Sequence, residues 1–322
     1  MREALARGEP IPTTDLARPG WDQPLKVRQV PPASPRPSFT AHARLRRTSP
    51  IAQYVVGAAL EALGSDAALC AGGAFQLGIV FCTMSGCVNY SRRFYDEVLK
   101  DPATASPLVF PETVYNSPAS HLAALLGTTA INYTLVGDPG TFLEGIALAA
   151  DWLASGRVTG CLVVGAEEKD WLTSDAMRLF ESKVIVSEGA GALYLRREKD
   201  PSPLAELRAI TNPHLFGGKT ARAEAARCAR AELAPAGQGH LLCDGLQGLP
   251  RSDRDEQAAW NGWPGPRLSP KTVLGEGFIA AAAWQCVAAV DALRQNSYAG
   301  ATVSVVGCNH QAIAAQFVKL RD

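Results

Sequence analysis

The chain has 322 residues, nearly half of them apolar, and its 31 Lys and Arg are balanced by 31 Asp and Glu. That length and apolar content support a large buried core, either one big domain or two closely fused halves, and exclude a disordered chain. A net charge of zero lacks the footprint of a nucleic-acid or anionic-membrane binder, so neither partner is expected.

From Glu9 to Ser49 the sequence is rich in Pro and Arg, including Pro31-Pro32 and Pro35-Arg36-Pro37. This stretch is expected to form neither a regular helix nor a central strand and to wrap over the core as the main part of an extended arm, residues 1–50. Pro50 to Leu63 has helical spacing with Ser49 as its cap, and Phe75 to Cys82 reads as a buried strand. The pattern predicts helices at Val88 to Lys100, Pro118 to Leu126, Thr141 to Ser155 and Trp171 to Phe180. Strands are predicted at Ile131 to Val136, Gly160 to Gly165 and Ala190 to Leu195. A looser second round predicts a strand from Pro203 to Ile210, a helix from Thr220 to Leu233 and a strand from His240 to Cys243. Strands alternating with helices indicate α/β layers.

The longest apolar run, Phe278 to Leu293, is broken by Gln285 and Asp291 and falls short of a bilayer span, and Met1 to Gly8 lacks the apolar core of a secretion signal. A cytoplasmic protein is expected. Eight cysteines, at 70, 82, 87, 161, 228, 243, 286 and 308, form no CxxC pair and no zinc-like spacing with His. Reduced, mostly buried thiols are expected, with no metal and no cofactor. The unit Gly275 to Gly307 echoes Gly137 to Gly165: a turn of Gly plus carboxylate, an apolar helix, a polar loop and a Val-rich strand ending in Gly. This suggests a faint internal duplication.

Four segments together resemble the β-ketoacyl-ACP synthase branch of the thiolase-like proteins. They are Pro107 to Ser120, the 137–167 unit, Ser187 to Leu195, whose Glu188-Gly189-Ala190-Gly191-Ala192 is similar to a GEGAG motif, and Pro270 to Gly277, where Lys271-Thr272-Val273-Leu274-Gly275 is similar to KxxxGH. Each motif is short; their order and spacing carry the joint signal. The resemblance implies an α/β, thiolase-like αβαβα fold of two related halves, 1–200 and 201–322, acting as a dimer on acyl chains borne by acyl carrier protein.

In that family a Cys at the N-terminus of the buried helix takes the acyl chain, aided by two His residues. A helix N-terminus lowers a thiol's pKa, and donors there stabilise an oxyanion. Carried over by position, the Cys falls on Pro139, the first His on Asp244 in a stretch similar to HGTGT, and the second His on Glu276. Asp138-Pro139 reads as an ordinary helix start, with Asp as cap and Pro at the first position. Proline supplies no thiol and no N–H, and loss of a nucleophile costs on the order of 10⁶ in turnover. Asp244 and Glu276 could form a carboxylate pair, and Lys271, Phe142 and Asn309 are candidate ligand contacts. Replacement nucleophiles are Cys82 and Cys87 in a strand-to-helix turn, and Cys308 beside His310, which an extended chain would place on one side.

Two departures shorten the chain relative to the family. Met1 to Pro10 resembles the family's first helix and loop, so the family's opening strand is expected either to have been shed or to lie upstream of this start, and Phe180 to Ser187 carries a reduced insertion. The expectation is a chain-length-factor-like subunit of fatty-acid or polyketide-type biosynthesis, non-catalytic and paired with an active synthase in a heterodimer, or self-paired as a homodimer. The alternatives are an acyltransferase using a relocated Cys and a stand-alone carrier-binding module.

Overall fold

Two mixed sheets face each other across a shared pair of helices. The computed structural model describes residues 1–72, 75–197, 203–295, 298–308 and 310–320. A short helix α1 (Arg2–Arg7) and the strands β1 (Thr14–Leu16) and β2 (Leu25–Arg28) come first. Next are α2 (Pro50–Leu63), β3 (Leu77–Thr83), α3 (Val88–Lys100), α4 (Ser117–Leu126), β4 (Asn132–Val136) and α5 (Thr141–Ala154). They are followed by β5 (Gly160–Glu167), α6 (Trp171–Phe180), β6 (Val186–Ser187) and β7 (Gly189–Arg196). Beyond them lie β8 (Glu206–Ile210), β9 (His214–Leu215), α7 (Lys219–Glu232), β10 (His240–Cys243) and α8 (Pro250–Ala259). The chain closes with β11 (Arg267–Leu268), α9 (Pro270–Leu274), α10 (Ile279–Gln295), β12 (Gly300–Val306) and β13 (Gln311–Val318).

The first sheet runs β4-β3-β5-β7, the second β11-β10-β12-β13-β8 with β9 also on β13. In the first, β3 is parallel to β4 and β5, and β5 is antiparallel to β7. In the second, β10 is parallel to β11 and β12, and β12 is antiparallel to β13. The two sheets therefore repeat one pattern, with α5 and α10 as matching crossover helices, and the suggested duplication is visible in the topology. Helix α5 packs on β3 and β5, and α10 packs on α5 and on strands of both sheets; α2 and α4 cover the outer face of one sheet, and α7, with α8 against it, covers the other. This is the α/β, αβαβα layering that the resemblance implied.

Layer position explains composition. Every residue of β3 and β5 is buried, because parallel strands covered on both faces need continuous apolar runs. In α2, Ile51, Val55, Ala59 and Leu63 repeat at four-residue spacing and bury one face. Helix α10 lies between two sheets, and Ala280, Ala281, Ala282 and Ala283 are all fully buried. Small side chains permit that approach: a Cβ added at Gly165 or Gly191 would lie 3.0 or 2.9 Å from the Ala283 Cβ.

Four sequence expectations need correction. The arm is not without strands, since β2 is the middle strand of a small sheet β1-β2-β6, formed where Leu25, Val27 and Arg28 turn inward. Ser49 does occupy the N-cap position of α2, but its hydroxyl makes no capping bond and donates instead to Glu168 at 2.6 Å. Helix α8 and strand β13 were not anticipated, the first because its sequence is almost wholly polar, the second because Gln311 and Gln316 interrupt its apolar run. Finally, among the described residues Pro50–Ala71, rather than the stretch from Phe278, is the helical segment long and apolar enough to cross a membrane; its α2 portion packs on β5 and β7.

Candidate functional site

The turn after β4 brings residues 137–140 to the tip of α5, where Asp138, Pro139 and Gly140 are all buried. Asp138 was expected to cap this helix. Instead Gly140 occupies the N-cap position with no side-chain bond, and the Asp138 carboxylate reaches into the other half of the molecule. Its Oδ1 accepts the Cys308 backbone N–H at 3.0 Å and its Oδ2 that of Gln311 at 3.3 Å. A second link runs beside it, from Gln311 Nε2 to Glu144 Oε2 at 3.0 Å. Pro139 contributes neither thiol nor N–H to the tip.

Glu276 lies at the entry to α10, 2% exposed. Its Oε2 accepts from Lys271 Nζ and from Gln247 Nε2, both at 2.8 Å, and its Oε1 accepts the Phe278 N–H at 2.8 Å. Lys271 is itself buried. Burial opposes its charge, but the charge of Glu276 and the hydrogen bond outweigh that and hold the ammonium above its usual range. Phe278 has a φ of 50°, alone among the described non-glycine residues in the left-handed region. That sparsely populated conformation persists where the surroundings fix it, here through the N–H bond to Glu276.

Asp244 does not pair with Glu276 in the way a general acid and base would. It is fully buried, its Oδ1 accepts from Ser269 Oγ at 2.5 Å, and Arg267 Nη1 lies 3.6 Å from its Oδ2. Burial raises its pKa. The loop it opens does reach Glu276, but through Gln247. Nearby, Glu256 accepts from Ser304 Oγ at 2.6 Å and from the Gly245 N–H at 3.1 Å, and is pushed up to about 7 by burial and by the Asp244 charge. Gln247 and Gln311 carry no sequence signal of their own, being single amides in loop and strand.

The candidate nucleophiles separate. Cys82 is fully buried between β3 and α5, with its thiol 3.7 Å from the Thr141 carbonyl; Cys87 packs on the outer side of the sheet, 3.7 Å from the Val114 carbonyl. Burial pushes both thiols up, away from the thiolate. Cys308 is exposed, although protein crowds its surroundings. Burial of its surroundings and the charges of Glu276 and Asp138 push the Cys308 thiol up, away from the thiolate. His310 is exposed and its carbonyl accepts from Phe216 N; Cys308 and His310 each lie at a bend rather than in a strand, so the extended-chain alternation that would align them does not apply. Phe142, a candidate ligand contact, is instead fully buried in the core, and Lys271, another, is bound to Glu276. Asn309 lies outside the described residues. Two open grooves, one of about 450 Å³ beside Phe39, Leu60 and Leu125 and one of about 250 Å³ beside Leu153 and Arg157, lie away from the α5 tip.

No protein-family model and no curated protein matches the chain. Solved structures do. The ishigamide ketosynthase/chain length factor is 19% identical with a TM-score of 0.77, over 96% of this chain and 91% of that one. A β-ketoacyl synthase from Burkholderia phymatum STM815 is 16% identical with a TM-score of 0.78, over 99% and 95%. A type II polyketide synthase acyl-carrier protein in complex with its ketosynthase bound to the hexaketide gives 16% and 0.73, over 91% and 89%. The chain therefore has the fold of the ketosynthases.

Proposed function

We propose that the chain is a non-catalytic ketosynthase-like subunit of fatty-acid or polyketide-type biosynthesis, one that pairs with an active ketosynthase and meets acyl carrier protein. The α5 tip carries this proposal: Pro139 stands where a condensing enzyme needs a thiol, and the Lys271–Glu276 ion pair stands where an imidazole would be. The charge of Glu276 holds the proton of the buried Lys271 ammonium too firmly for acid–base work. Cys308, the one candidate thiol that solvent reaches near the tip, is flanked by carboxylates that disfavour the thiolate.

Pairing is supported by β4, which ends its sheet with Tyr133 54% and Val136 52% exposed. An apolar strand edge is a surface that a protein partner covers. Carrier binding is supported by a feature hidden beneath the neutral net charge. No acidic residue occurs between Asp22 and Glu61, while Arg36, Arg44, Arg46 and Arg47 are exposed there. Such a basic face fits an acidic partner.

Coexpression with candidate ketosynthases and carrier proteins tests this. The expected result is a stable complex with a ketosynthase and no acyl adduct on any cysteine of this chain after incubation with acyl-carrier thioester, read by intact-mass spectrometry. Strict self-association, or an adduct on Cys308, contradicts the proposal. The triple charge reversal Arg44→Glu, Arg46→Glu, Arg47→Glu is expected to weaken carrier binding about tenfold at low salt and to flatten its salt dependence; unchanged binding removes the basic segment from the interface.

A further inference from the structure

We propose that Asp138 is a built-in anionic ligand: its carboxylate fills an anion position made by the backbone N–H groups of Cys308 and Gln311 and so ties these two residues of one half to the tip of α5 of the other. The inference rests on reading this tip as a disused reaction site. Two backbone donors converging on one point beside a helix N-terminus form a concavity that binds negative charge. Here both donors already have their acceptor, at 3.0 and 3.3 Å, on the two oxygens of a single buried carboxylate.

The surroundings are shaped to that carboxylate. Gly307 lies so close that an added Cβ would fall 1.4 Å from Asp138 Oδ2. No other residue type fits there while the carboxylate is present. Gly140, on the other side of the tip, leaves room for Gln311, whose amide nitrogen would lie 2.8 Å from an added Cβ. The same Gln311 side chain carries the second link, to Glu144. A carbonyl oxygen of an acyl group that approached the tip would have to displace Asp138 to obtain either donor. Asp138 therefore keeps the position closed, and replacing Pro139 by Cys would not by itself reopen it.

Chemical rescue tests this directly. Asp138→Ala leaves the two N–H groups without their acceptor and opens a space the size of a small carboxylate. The melting temperature is expected to fall by about 5 °C. Sodium formate, compared with sodium chloride at equal ionic strength, is expected to restore much of that loss in Asp138→Ala and to leave the wild type unmoved. Asp138→Asn, which fills the space but presents an NH₂ to one donor, is expected to be destabilised and not rescued. An Asp138→Ala protein that melts like the wild type, or formate acting equally on both, overturns the proposal. If Asp138→Ala does not fold, hydrogen exchange on the wild type decides: the Cys308 and Gln311 amides should be protected together, and free exchange at Cys308 overturns it. An acyl adduct on wild-type Cys308 would sink the non-catalytic assignment while leaving these melting results intact, so the two failures are distinguishable.

Discussion

Lys271→Met is expected to lower the unfolding free energy by about 3–5 kcal/mol, because it leaves the Glu276 carboxylate buried without its counter-charge. Lys271 and Glu276 are 6% and 2% exposed and 2.8 Å apart, so water cannot replace the missing ammonium. The remaining partners, Gln247 Nε2 and the Phe278 N–H, are neutral donors. Against a typical total stability of about 5–15 kcal/mol this is a large loss. The double variant Lys271→Met, Glu276→Gln removes both charges and keeps a carbonyl acceptor for Phe278, and it should recover most of the loss, since desolvating two ions offsets much of what their attraction contributes. Urea titration of the two variants checks this. A single-variant cost below about 1 kcal/mol would show that the pair is solvated as surface pairs are.

Stability is expected to fall as pH rises from about 5 to 8, the reverse of a protein dominated by surface carboxylate pairs. Two buried acids cause it. Glu167 accepts the N–H groups of Met84 and Ser85 at 2.5 and 3.0 Å, yet burial pushes it up to about 8; Glu256 is pushed up to about 7. Each folded-state value lies above the usual carboxylate value of about 4.3, so the folded chain binds these protons more tightly than the unfolded chain. Their contribution is complete below that ordinary value and is lost as pH climbs through about 7 for Glu256 and about 8 for Glu167. For Glu167 the loss is on the order of 4 kcal/mol. Glu167→Gln gives up one acceptor at every pH but removes the titration, so its stability should change less between pH 5 and 8. Equal slopes for variant and wild type would count against this assignment.

The fold was largely legible because its central elements obey strong patterns. β3 and β5 are continuous apolar runs, α2 and α5 have helical apolar spacing, and Pro50 marks a helix start. The glycine and lysine positions of Ser187 to Leu195 and Pro270 to Gly277 made the layered fold readable despite identities below 20% to the solved neighbours. The site was less legible. Asp138 has the sequence context of a cap, and nothing local indicates that its acceptors' partners are 170 and 173 residues away. Gln247 lies in a loop whose first residue drew attention, but only the folded loop shows that its fourth residue is the one at Glu276. The exposed arginines of residues 36–47 were masked because whole-chain charge averages over them. Helix α8 is almost entirely polar, and periodicity reads only faces that are buried.

The run of four alanines at the start of α10 has a consequence for where a guest molecule can go. With Ala283 against Gly165 and Gly191, the contact between this helix and the first sheet is made nearly backbone to backbone. Even a methyl added at either glycine would need neighbours to shift, so this contact has no space to lend to a flexible hydrocarbon. A greasy tail brought to this protein finds no room between α10 and the first sheet.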